Sequence, residues 1–514
     1  MIQTRKPRVI RENATHTSDT LPALAAILEQ LAEAHVRYCS WKSNEHLSDG
    51  LAGRTDLDLL VEHADAPRFR SIVDRNGLKR LSPGSWAAYP GMEHHLGLDR
   101  SSGRLFHLHV HYQLVLGEQH VKNHRIPLER EFLDSARRLD GVPVPSPELE
   151  LSILAVRALL KYRARDVVKD VFHIRSHGLR RPIRDEIRWL LTQTTPESVE
   201  AALRATGGVV PPDVVRAFLE TIARDPRAGA ALLRLRSRIR EELSEFQRQG
   251  RVRASVHALA VMWRRRRSLE TRMIPQAGGT TIALIGPDGS GKSTIAADLV
   301  RWLGWKLAVR SYYMGSKSPS VASRASYLAF RVARRGHRAA SARLGAGSPI
   351  AGMIRKARDG LLALHYVAVG RDRFRRYEEG RREAAAGRIV IFDRFPLTRL
   401  SREQEHHLLD GPRIRRLLPS AGGFTWWLAT LEERIYRRMR LPDHLVFLLA
   451  SADFSARRKP DHRFETLTAK ATAAEELATL ADSSSEPVDV IRIDADLPLE
   501  VVLLEVKSRL WDVL

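Results

Sequence analysis

The residues whose types and spacing most clearly indicate a chemical function form a glycine-rich turn near the middle of the chain. An apolar run, Thr281–Ile285, predicts a buried strand, and residues 295–300 have the apolar spacing of a helix. Glycines in the turn let backbone N–H groups face inward, and the following helix N-terminus adds partial positive charge. The sequence therefore predicts a phosphate-binding loop made of Gly286, Pro287, Asp288, Gly289, Ser290, Gly291, Lys292, Ser293 and Thr294.

Two side chains of this loop predict a nucleoside triphosphate and a metal ion. Lys292 would reach the β- and γ-phosphates, and the Ser293 hydroxyl would bind Mg²⁺. Asp393 follows the apolar run 389–392, and an acid at the carboxyl end of a neighbouring strand is suited to the same Mg²⁺. A plain glycine turn is the alternative, but the order strand, loop, helix favours ATP and Mg²⁺.

A pair of carboxylates lies near the N-terminus of the chain. Asp56 and Asp58 are two residues apart in a predicted strand, Asp56–Val61, so they share one face. Two carboxylates in this arrangement can hold Mg²⁺ ions that bridge nucleotide phosphates. A charged strand end is the alternative interpretation.

Histidines alternate along a later predicted strand. His107, His109 and His111 share one face, and His94 or His95 would lie across a hairpin from them. Imidazole groups at this spacing could bind a transition metal. A hydrogen-bonded polar face of an antiparallel sheet is the alternative and is the commoner outcome.

Composition limits the class of protein. The 514 residues predict two to four domains, and an apolar fraction of 43% is enough for sizeable cores. A single cysteine, Cys39, excludes an internal disulfide framework and suits a reducing cytoplasm. No apolar run approaches the roughly 18 residues of a membrane span. We expect a soluble, cytoplasmic protein.

The net charge of +24 is unevenly placed along the chain. Between Leu299 and Arg358 there are thirteen Lys and Arg residues and no Asp or Glu. This block predicts an anionic partner near the phosphate loop, although a generally basic surface would look the same. Trp263 and the arginines 264–267 could touch acidic lipid at the inner membrane surface, or could form a solvated helix end.

Residues 38–58 resemble the nucleotidyltransferase (polymerase-β-like) superfamily, whose pattern is a Gly-Ser turn followed by Asp-x-Asp on the next strand. Lys42-Ser43 stands at the turn here, and Asp56-Leu-Asp58 follows it. The third carboxylate of that pattern is not evident, because the corresponding strand carries histidines. The resemblance implies a metal-binding α+β domain, and a second, nucleotide-transferring activity is an alternative function.

Residues 280–514 resemble the thymidylate kinase-like branch of P-loop kinases. The resemblance rests on the glycine-rich loop, Asp393-Arg394-Phe395, Pro442-Asp443 before a strand, Arg457-Arg458-Lys459 and Ile493-Asp494-Ala495. It implies that Asp288 faces the acceptor and that Asp393 and Arg394 serve the metal and the phosphates. It also implies that Arg457 and Arg458 close over the transferred phosphoryl group as a lid.

The expected function is ATP-dependent phosphoryl transfer to an anionic small molecule, glycan or lipid-linked sugar. Thymidine monophosphate is a poor candidate, because Tyr313-Met-Gly315-Ser316 stands where thymidylate kinases carry an Arg-Glu-Pro-Gly-type element. A nucleic-acid-binding protein or polynucleotide kinase is a further alternative, motivated by charge alone. A dimer is plausible, and the sequence does not fix the oligomeric state.

The expected fold class is α/β with several domains. We predict a flexible tail at 1–19, a nucleotidyltransferase-like α+β domain at 20–145, a helical domain at 146–267 and a linker at 268–279. Residues 280–514 are predicted to form the kinase-like domain, because strands and helices alternate there and such alternation produces a parallel sheet.

Overall fold

The computed structural model describes residues 19–84, 89–118, 121–162, 179–225, 228–267, 272–315, 319–345, 347–400, 411–419 and 422–514. The chain divides into two compact units, residues 1–271 and 272–514. The predicted tail, except for Asp19, lies outside the described residues, as do Ser316 and residues 268–271 of the predicted linker. The two units are described separately below.

Five strands of the first unit form a mixed sheet in the order β1-β2-β5-β4-β3. Among these neighbours only β2 and β5 are parallel, and the other pairs are antiparallel. The strand predicted at 56–61 is present as β2, and the antiparallel pair β4-β5 is the predicted hairpin. Helices α1 to α3 bury Leu24, Ile27 and Phe69 against the sheet. The elements are β1 Tyr38–Ser40, β2 Asp56–Val61, β3 Lys79–Ser82, β4 Met92–Asp99, β5 Arg104–His111, α1 Pro22–Glu33, α2 Leu47–Leu51 and α3 Ala66–Arg75.

The predominantly helical region of the first unit shares its core with this sheet. Cys39, Trp41 and Leu60 from the sheet pack in one cluster with helix residues such as Leu154 and Phe218. The predicted boundary near residue 146 therefore does not separate two compact bodies. The elements are β6 Val115–Glu118, β7 Val121–Arg125, α4 Glu129–Asp134, β8 Arg137–Leu139, β9 Val142–Val144, α5 Pro147–Lys161, α6 Arg181–Leu190, α7 Pro196–Ala205, α8 Pro212–Arg224, α9 Gly229–Glu242 and α10 Arg251–Arg267.

The second unit is built on a five-stranded sheet in the order β12-β13-β11-β14-β15. All neighbouring pairs are parallel, as the alternation of strands and helices predicts. The elements are β10 Ile274–Pro275, β11 Thr280–Ile285, α11 Lys292–Leu303, β12 Val309–Tyr313, α12 Val321–Leu344, α13 Pro349–Ala385, β13 Ile389–Asp393, α14 Ile414–Leu417, α15 Phe424–Arg437, β14 His444–Leu449, α16 Ala452–Arg458, α17 Phe464–Asp482, β15 Asp489–Asp494 and α18 Leu499–Val513.

The glycine-rich loop leaves the central strand of this sheet. Strand β11 is buried from Thr281 to Ile285, with β13 on one side and β14 on the other. Its neighbours are continuous apolar runs, as expected for strands covered on both faces. The loop follows the carboxyl end of β11, and the strand order reverses on either side of this strand. This is the usual ligand position in parallel sheets.

Two long helices, α12 and α13, form an antiparallel hairpin after β12. Helix α12 has 24 residues and helix α13 has 37. The start of α12 is fixed by Asp372 of α13, whose carboxylate accepts bonds from Ser320 N at 2.9 Å and Ser323 Oγ at 2.6 Å. Among the described residues, no helix is both long and apolar enough to cross a membrane.

Helix α13 approaches the sheet closely at Gly380. A Cβ atom at Gly380 would lie 2.5 Å from Phe392 Cζ and 3.1 Å from Val390 Cγ1 of β13. Both β13 side chains are fully buried, so neither can move aside without disturbing the core. The absence of a side chain at position 380 therefore sets the distance between helix and sheet.

We expect Gly380→Ala to lower the free energy of unfolding by about 1–3 kcal/mol through overpacking. Gly352→Ala is a matched control in the same helix, because nothing lies within 4 Å of its Cβ position. That variant should be neutral or stabilising by up to about 1 kcal/mol, since alanine favours helix. Denaturant unfolding of both variants measures the difference, and equal effects would contradict the close approach.

Candidate functional site

The glycine-rich loop has backbone conformations that glycine adopts more readily than other residues. Gly289 and Gly291 have φ angles of 94° and 88°, in the left-handed region, and Gly291 is the residue before α11. A Cβ atom at Gly286 would lie 2.5 Å from Leu448 O and 2.8 Å from Ser290 Oγ. The loop is therefore packed against the end of β14, and α11 begins directly behind it.

Lys292 is buried and turned back over the loop. Its Nζ atom donates to Gly286 O at 2.8 Å and Pro287 O at 2.6 Å, and it lies 3.4 Å from Ser290 Oγ. Only 6% of its surface is exposed. The ammonium group is thus placed at the centre of the predicted phosphate cradle.

Ser293, in the first turn of α11, meets Asp393 at the end of β13. The Ser293 hydroxyl donates to Asp393 Oδ2 at 2.7 Å, and Asp393 is buried. Its other oxygen, Oδ1, is buried and has no hydrogen-bond partner among the described residues. A hydroxyl and a carboxylate with one unsatisfied oxygen are hard oxygen ligands, so these two residues fit Mg²⁺.

Asp288 at the tip of the loop holds two cations. Its carboxylate accepts a bond from Arg394 Nη2 at 3.1 Å and forms an ion pair with Lys470 of α17. Burial alone would raise the pKa of Asp288, but the contact with Lys470 and the charges of Arg394 and Lys292 lower it to about 2. The loop acid is therefore ionised at neutral pH and fixed in place.

Arg394 has a left-handed backbone, with φ of 68°. This conformation is unfavourable for a residue with a side chain, and such residues concentrate at functional sites. The turn directs the guanidinium group towards Asp288. Asp288 and Arg394, which the sequence analysis assigns to the site separately, are thus in direct contact.

The predicted lid arginines differ in position. Arg458 Nη1 lies 3.3 Å from Gly289 O in the phosphate loop, and its guanidinium carbon is 4.8 Å from the centre of the Phe454 ring. Arg457 is exposed, and the contact described for it is with the same ring at 6.0 Å. Helix α16 is pressed on the loop through Ser455, whose Cα atom would be 3.3 Å from a Cβ at Gly289.

Several residues around the loop carry no sequence signal strong enough to identify them. Lys470 is the only Lys or Arg of α17, so its isolation in that helix was the one available sign. Arg376 of α13 donates to Tyr313 O at 3.0 Å, and Met314 N donates to Asp393 O at 2.9 Å. These bonds fix the segment after β12 beside the carboxylate that faces the loop.

Asp443, part of the motif ahead of β14, lies away from the loop. Its carboxylate accepts bonds from Thr281 N and Thr281 Oγ1, both at 2.8 Å, at the beginning of β11. The phosphate loop leaves the opposite end of the same strand. Asp443 therefore joins two strands at the end of the sheet opposite the glycine-rich loop.

The polar residues of the first unit gather on one face of its sheet. The strand register places Asp56 opposite His107, Asp58 opposite His109, and His109 opposite His94. His107 Nδ1 lies 3.0 Å from Asp56 Oδ1, and His109 Nδ1 lies 2.7 Å from Asp58 Oδ1. The two candidate sets of the sequence analysis are therefore one cluster.

A lysine completes this cluster. Lys42 Nζ lies 2.7 Å from Asp58 Oδ1, and His111 Nε2 lies 3.6 Å from the same oxygen. Burial would raise the pKa of Asp58, but the charge of Lys42 and the neighbouring His109 and His111 rings hold it well below the ordinary value. Burial also lowers the pKa values of His109 and His111 to about 3, so both rings are neutral at pH 7.

Comparisons with known proteins cover less than half of the chain. No protein-family model matches. A stretch of 224 residues, 43% of this chain, is 26% identical to the uncharacterized ATP-binding protein YghR of Escherichia coli K12 and covers 83% of it. Among solved structures, deoxyadenosine kinase of M. mycoides with bound dATP aligns with 45% of this chain and 98% of its own, at 12% identity and a TM-score of 0.28. The same enzyme with bound products aligns with 46% of this chain and 100% of its own, at 15% identity and the same TM-score.

The contact between Gly289 and α16 gives a test of the loop geometry. Gly289→Ala should lose about 1–2 kcal/mol of stability from the left-handed backbone, and it should also push Ser455 away. Gly278→Ala is the matched control, because Gly278 has φ of 108° but nothing within 4 Å of its Cβ position.

Both variants should therefore carry similar backbone strain, and Gly289→Ala should lose further stability in thermal unfolding through its contact with Ser455. Gly289→Ala alone should weaken the binding of inorganic tripolyphosphate, measured by calorimetry, by about tenfold, or roughly 1.4 kcal/mol. Equal affinities of the two variants would show that α16 does not shape the loop.

Proposed function

We propose that the second unit transfers the γ-phosphoryl group of ATP to an anionic acceptor. The observation that carries this proposal is the meeting of Ser293 and Asp393 beside the buried ammonium of Lys292. A hydroxyl, a carboxylate and a buried cation at a helix N-terminus form a complete set for a metal–triphosphate complex. The name of the Escherichia coli relative describes an ATP-binding protein, which supports the choice of nucleotide.

Each residue of the loop has a defined task in this proposal. Backbone N–H groups around Gly289 and Gly291 hold the phosphates, and Lys292 exchanges its two carbonyl bonds for phosphate oxygens. Ser293 and Asp393 would hold Mg²⁺, which neutralises charge on the β- and γ-phosphates when bound. Catalysis then depends on position and on charge, since phosphoryl transfer needs little covalent chemistry from the protein.

The acceptor side is formed by Asp288, Arg394 and Lys470. An oxygen of the acceptor attacks the γ-phosphorus while the bond to the bridging oxygen of ADP breaks. Asp288 is ionised, so it can accept a hydrogen bond from an acceptor hydroxyl, and the two cations beside it suit an acceptor that carries negative charge. Arg458, already within reach of the loop carbonyl of Gly289, supplies positive charge over the transferred group.

The acceptor class that we propose is an anionic small molecule, a glycan or a lipid-linked sugar. Thymidine monophosphate remains a poor candidate, because the segment after β12 is Tyr313-Met-Gly315. That segment is fixed by Arg376, which binds the carbonyl oxygens of Tyr313 at 3.0 Å and of Gly315 at 3.4 Å.

Loss of the loop ammonium should abolish the reaction. Lys292→Ala is expected to lower kcat/KM for ATP turnover with an acceptor by at least about 100-fold, as for other single groups that stabilise transition-state charge. Lys306→Ala is the control, since Lys306 Nζ lies over the Trp305 ring at 4.6 Å and outside the loop. Release of ADP is measured with a panel of anionic acceptors, and turnover that survives Lys292→Ala would contradict the assignment.

Nucleotide transfer by the first unit is a second candidate. Its support is the position of Asp56 and Asp58 on one strand face, beside the turn Lys42-Ser43. Asp58 is paired with Lys42 and with two histidines, and no third carboxylate joins it in the described cluster. Incorporation of labelled nucleotide that is lost in Asp56→Asn but kept in Lys292→Ala would favour this activity over the kinase.

An exposed stripe on α12 supports an acceptor presented at an anionic lipid surface. Val321, Ala325, Leu328 and Val332 follow the spacing of one helix face and are exposed, Val321 to 83%. The exposed residues Arg324, Arg331 and Arg335 lie beside this stripe. The inner face of α12 is turned to α13 through contacts such as Ser326 to His365. Apolar side chains flanked by arginines are typical of helices that lie in a bilayer interface.

Charge favours a lipid surface over a second copy of the chain as the occupant of this stripe. Two copies would bring arginines together, since the sequence from 299 to 358 contains no acid to compensate them. Anionic headgroups would attract the same residues, at about 1 kcal/mol for each cation near the surface.

Vesicle binding tests this surface. The full chain should sediment with vesicles that contain phosphatidylglycerol and much less with phosphatidylcholine alone. Val332→Asp should reduce binding about tenfold, since the variant loses the roughly 1.5 kcal/mol that a valine gains when it is buried in the bilayer. Val501→Asp is the matched control on α18, where Val501 is 47% exposed. Equal binding of the two variants, or equal binding to both vesicle types, would refute the lipid surface.

A further inference from the structure

The polar face of the first unit contains a set of groups that the kinase proposal does not use. One ligand atom each from Asp58, His109 and His111 lies within 4.8 Å of the others. Strand register produces this set, because β2 and β5 are parallel neighbours and Asp58 is directly opposite His109. His111 follows His109 at the spacing that keeps both on one face.

The ring nitrogens of this set are incompletely satisfied. His111 is fully buried, its Nδ1 has no hydrogen-bond partner among the described residues, and its Nε2 lies 3.6 Å from Asp58 Oδ1, beyond hydrogen-bond distance. His109 contacts Asp58 through Nδ1, while its Nε2 is buried and likewise without a partner in the described structure. Buried unsatisfied nitrogens cost about 1–3 kcal/mol each, and a bound metal ion would offset that cost.

We propose that Asp58, His109 and His111 bind a divalent transition-metal ion of the Zn²⁺ type. Two imidazoles and one carboxylate are borderline ligands that suit Zn²⁺, Co²⁺ or Fe²⁺, whereas Mg²⁺ and Ca²⁺ prefer oxygen ligands only. Three protein ligands leave at least one position open, as in sites that bind water or a substrate. The site is therefore different in kind from the all-oxygen pair Ser293 and Asp393.

The surrounding histidines hold the ligands in position. The His94 ring stacks on His109 with centroids 4.6 Å apart and an angle of 9° between the planes. His94 Nδ1 lies 3.3 Å from His107 Nε2, and His107 Nδ1 lies 3.0 Å from Asp56 Oδ1. This chain of contacts orients the face of His109 as outer partners do around known metal centres.

Lys42 occupies the position next to Asp58 that a metal ion would need. Its ammonium lies 2.7 Å from Asp58 Oδ1, so the ammonium and a metal ion compete for the same oxygen. Metal binding requires Lys42 to withdraw, because two cations at one oxygen repel each other. Lys42→Gln removes the competing charge while it keeps a chain of similar length, and it should therefore tighten metal binding. A purely structural role of the cluster predicts no such gain.

The experiment uses the full chain, freed of metal with a chelator. Calorimetry with Zn²⁺ should show one site in unit 1, and Co²⁺ should give the absorption bands of a nitrogen-ligated ion. His111→Ala should weaken Zn²⁺ binding by more than about 100-fold, beyond the 10–100-fold typical of outer partners. His46→Ala is the matched control, because His46 is largely exposed and lies outside the cluster.

Folding is checked by circular dichroism of every variant without metal. If His111→Ala does not fold, Lys42→Gln still decides, since it removes no ligand and is expected to raise Zn²⁺ affinity about tenfold, which corresponds to 1.4 kcal/mol. The proposal is overturned if the wild-type chain does not bind Zn²⁺ or Co²⁺, or if His111→Ala and His46→Ala bind equally. It is also overturned if Lys42→Gln binds no more tightly than the wild-type chain.

Discussion

The hydrogen bond between Ser293 and Asp393 is the interaction on which the second unit's site depends. It joins the first turn of α11 to the end of β13, and it forms only because β11 and β13 are parallel, with Leu284 opposite Asp393. A shift of one residue in that register would turn the carboxylate to the other face of the sheet. The continuous apolar character of both strands, buried on two sides, makes such a shift costly. Packing in the sheet therefore controls the position of one oxygen pair.

Much of this arrangement could be predicted from local sequence. The loop from Gly286 to Thr294 and the strands at 281–285 and 389–392 follow from short motifs and apolar runs, whereas the contact of Asp288 with Arg394 appears only in the structure. Lys470 could not be assigned, because its partner is distant in sequence and its helix carries no motif. The length of α13 could not be predicted either, since its sequence shows no clear apolar face. Positions fixed by tertiary contact leave little trace in local pattern.

The first unit shows the same limit more clearly. The sequence gives alternating histidines on one strand and spaced carboxylates on another, and each pattern alone allows two interpretations. Only the pairing of β2 with β5 and of β5 with β4 shows that Asp58, His109 and His94 form a row across three strands. The contact of Lys42 with Asp58 could not be predicted either. The resemblance places Lys42 at a turn after β1 but does not say which side chain it contacts. Strand order, which is a property of the whole fold, decides what the polar face contains.

The folded-back side chain of Lys292 has an energetic consequence. A buried ammonium with no partner would destabilise the unit by several kcal/mol, but the carbonyl dipoles of Gly286 and Pro287 solvate it within the loop. The apoprotein is thus stable with its cation in place, and a guest anion exchanges one set of contacts for another. The net affinity for an anion is then the difference between two well-solvated states of the ammonium group. A long polyanion can replace more of the loop's internal contacts at once than a single small ion can, and this difference produces selectivity.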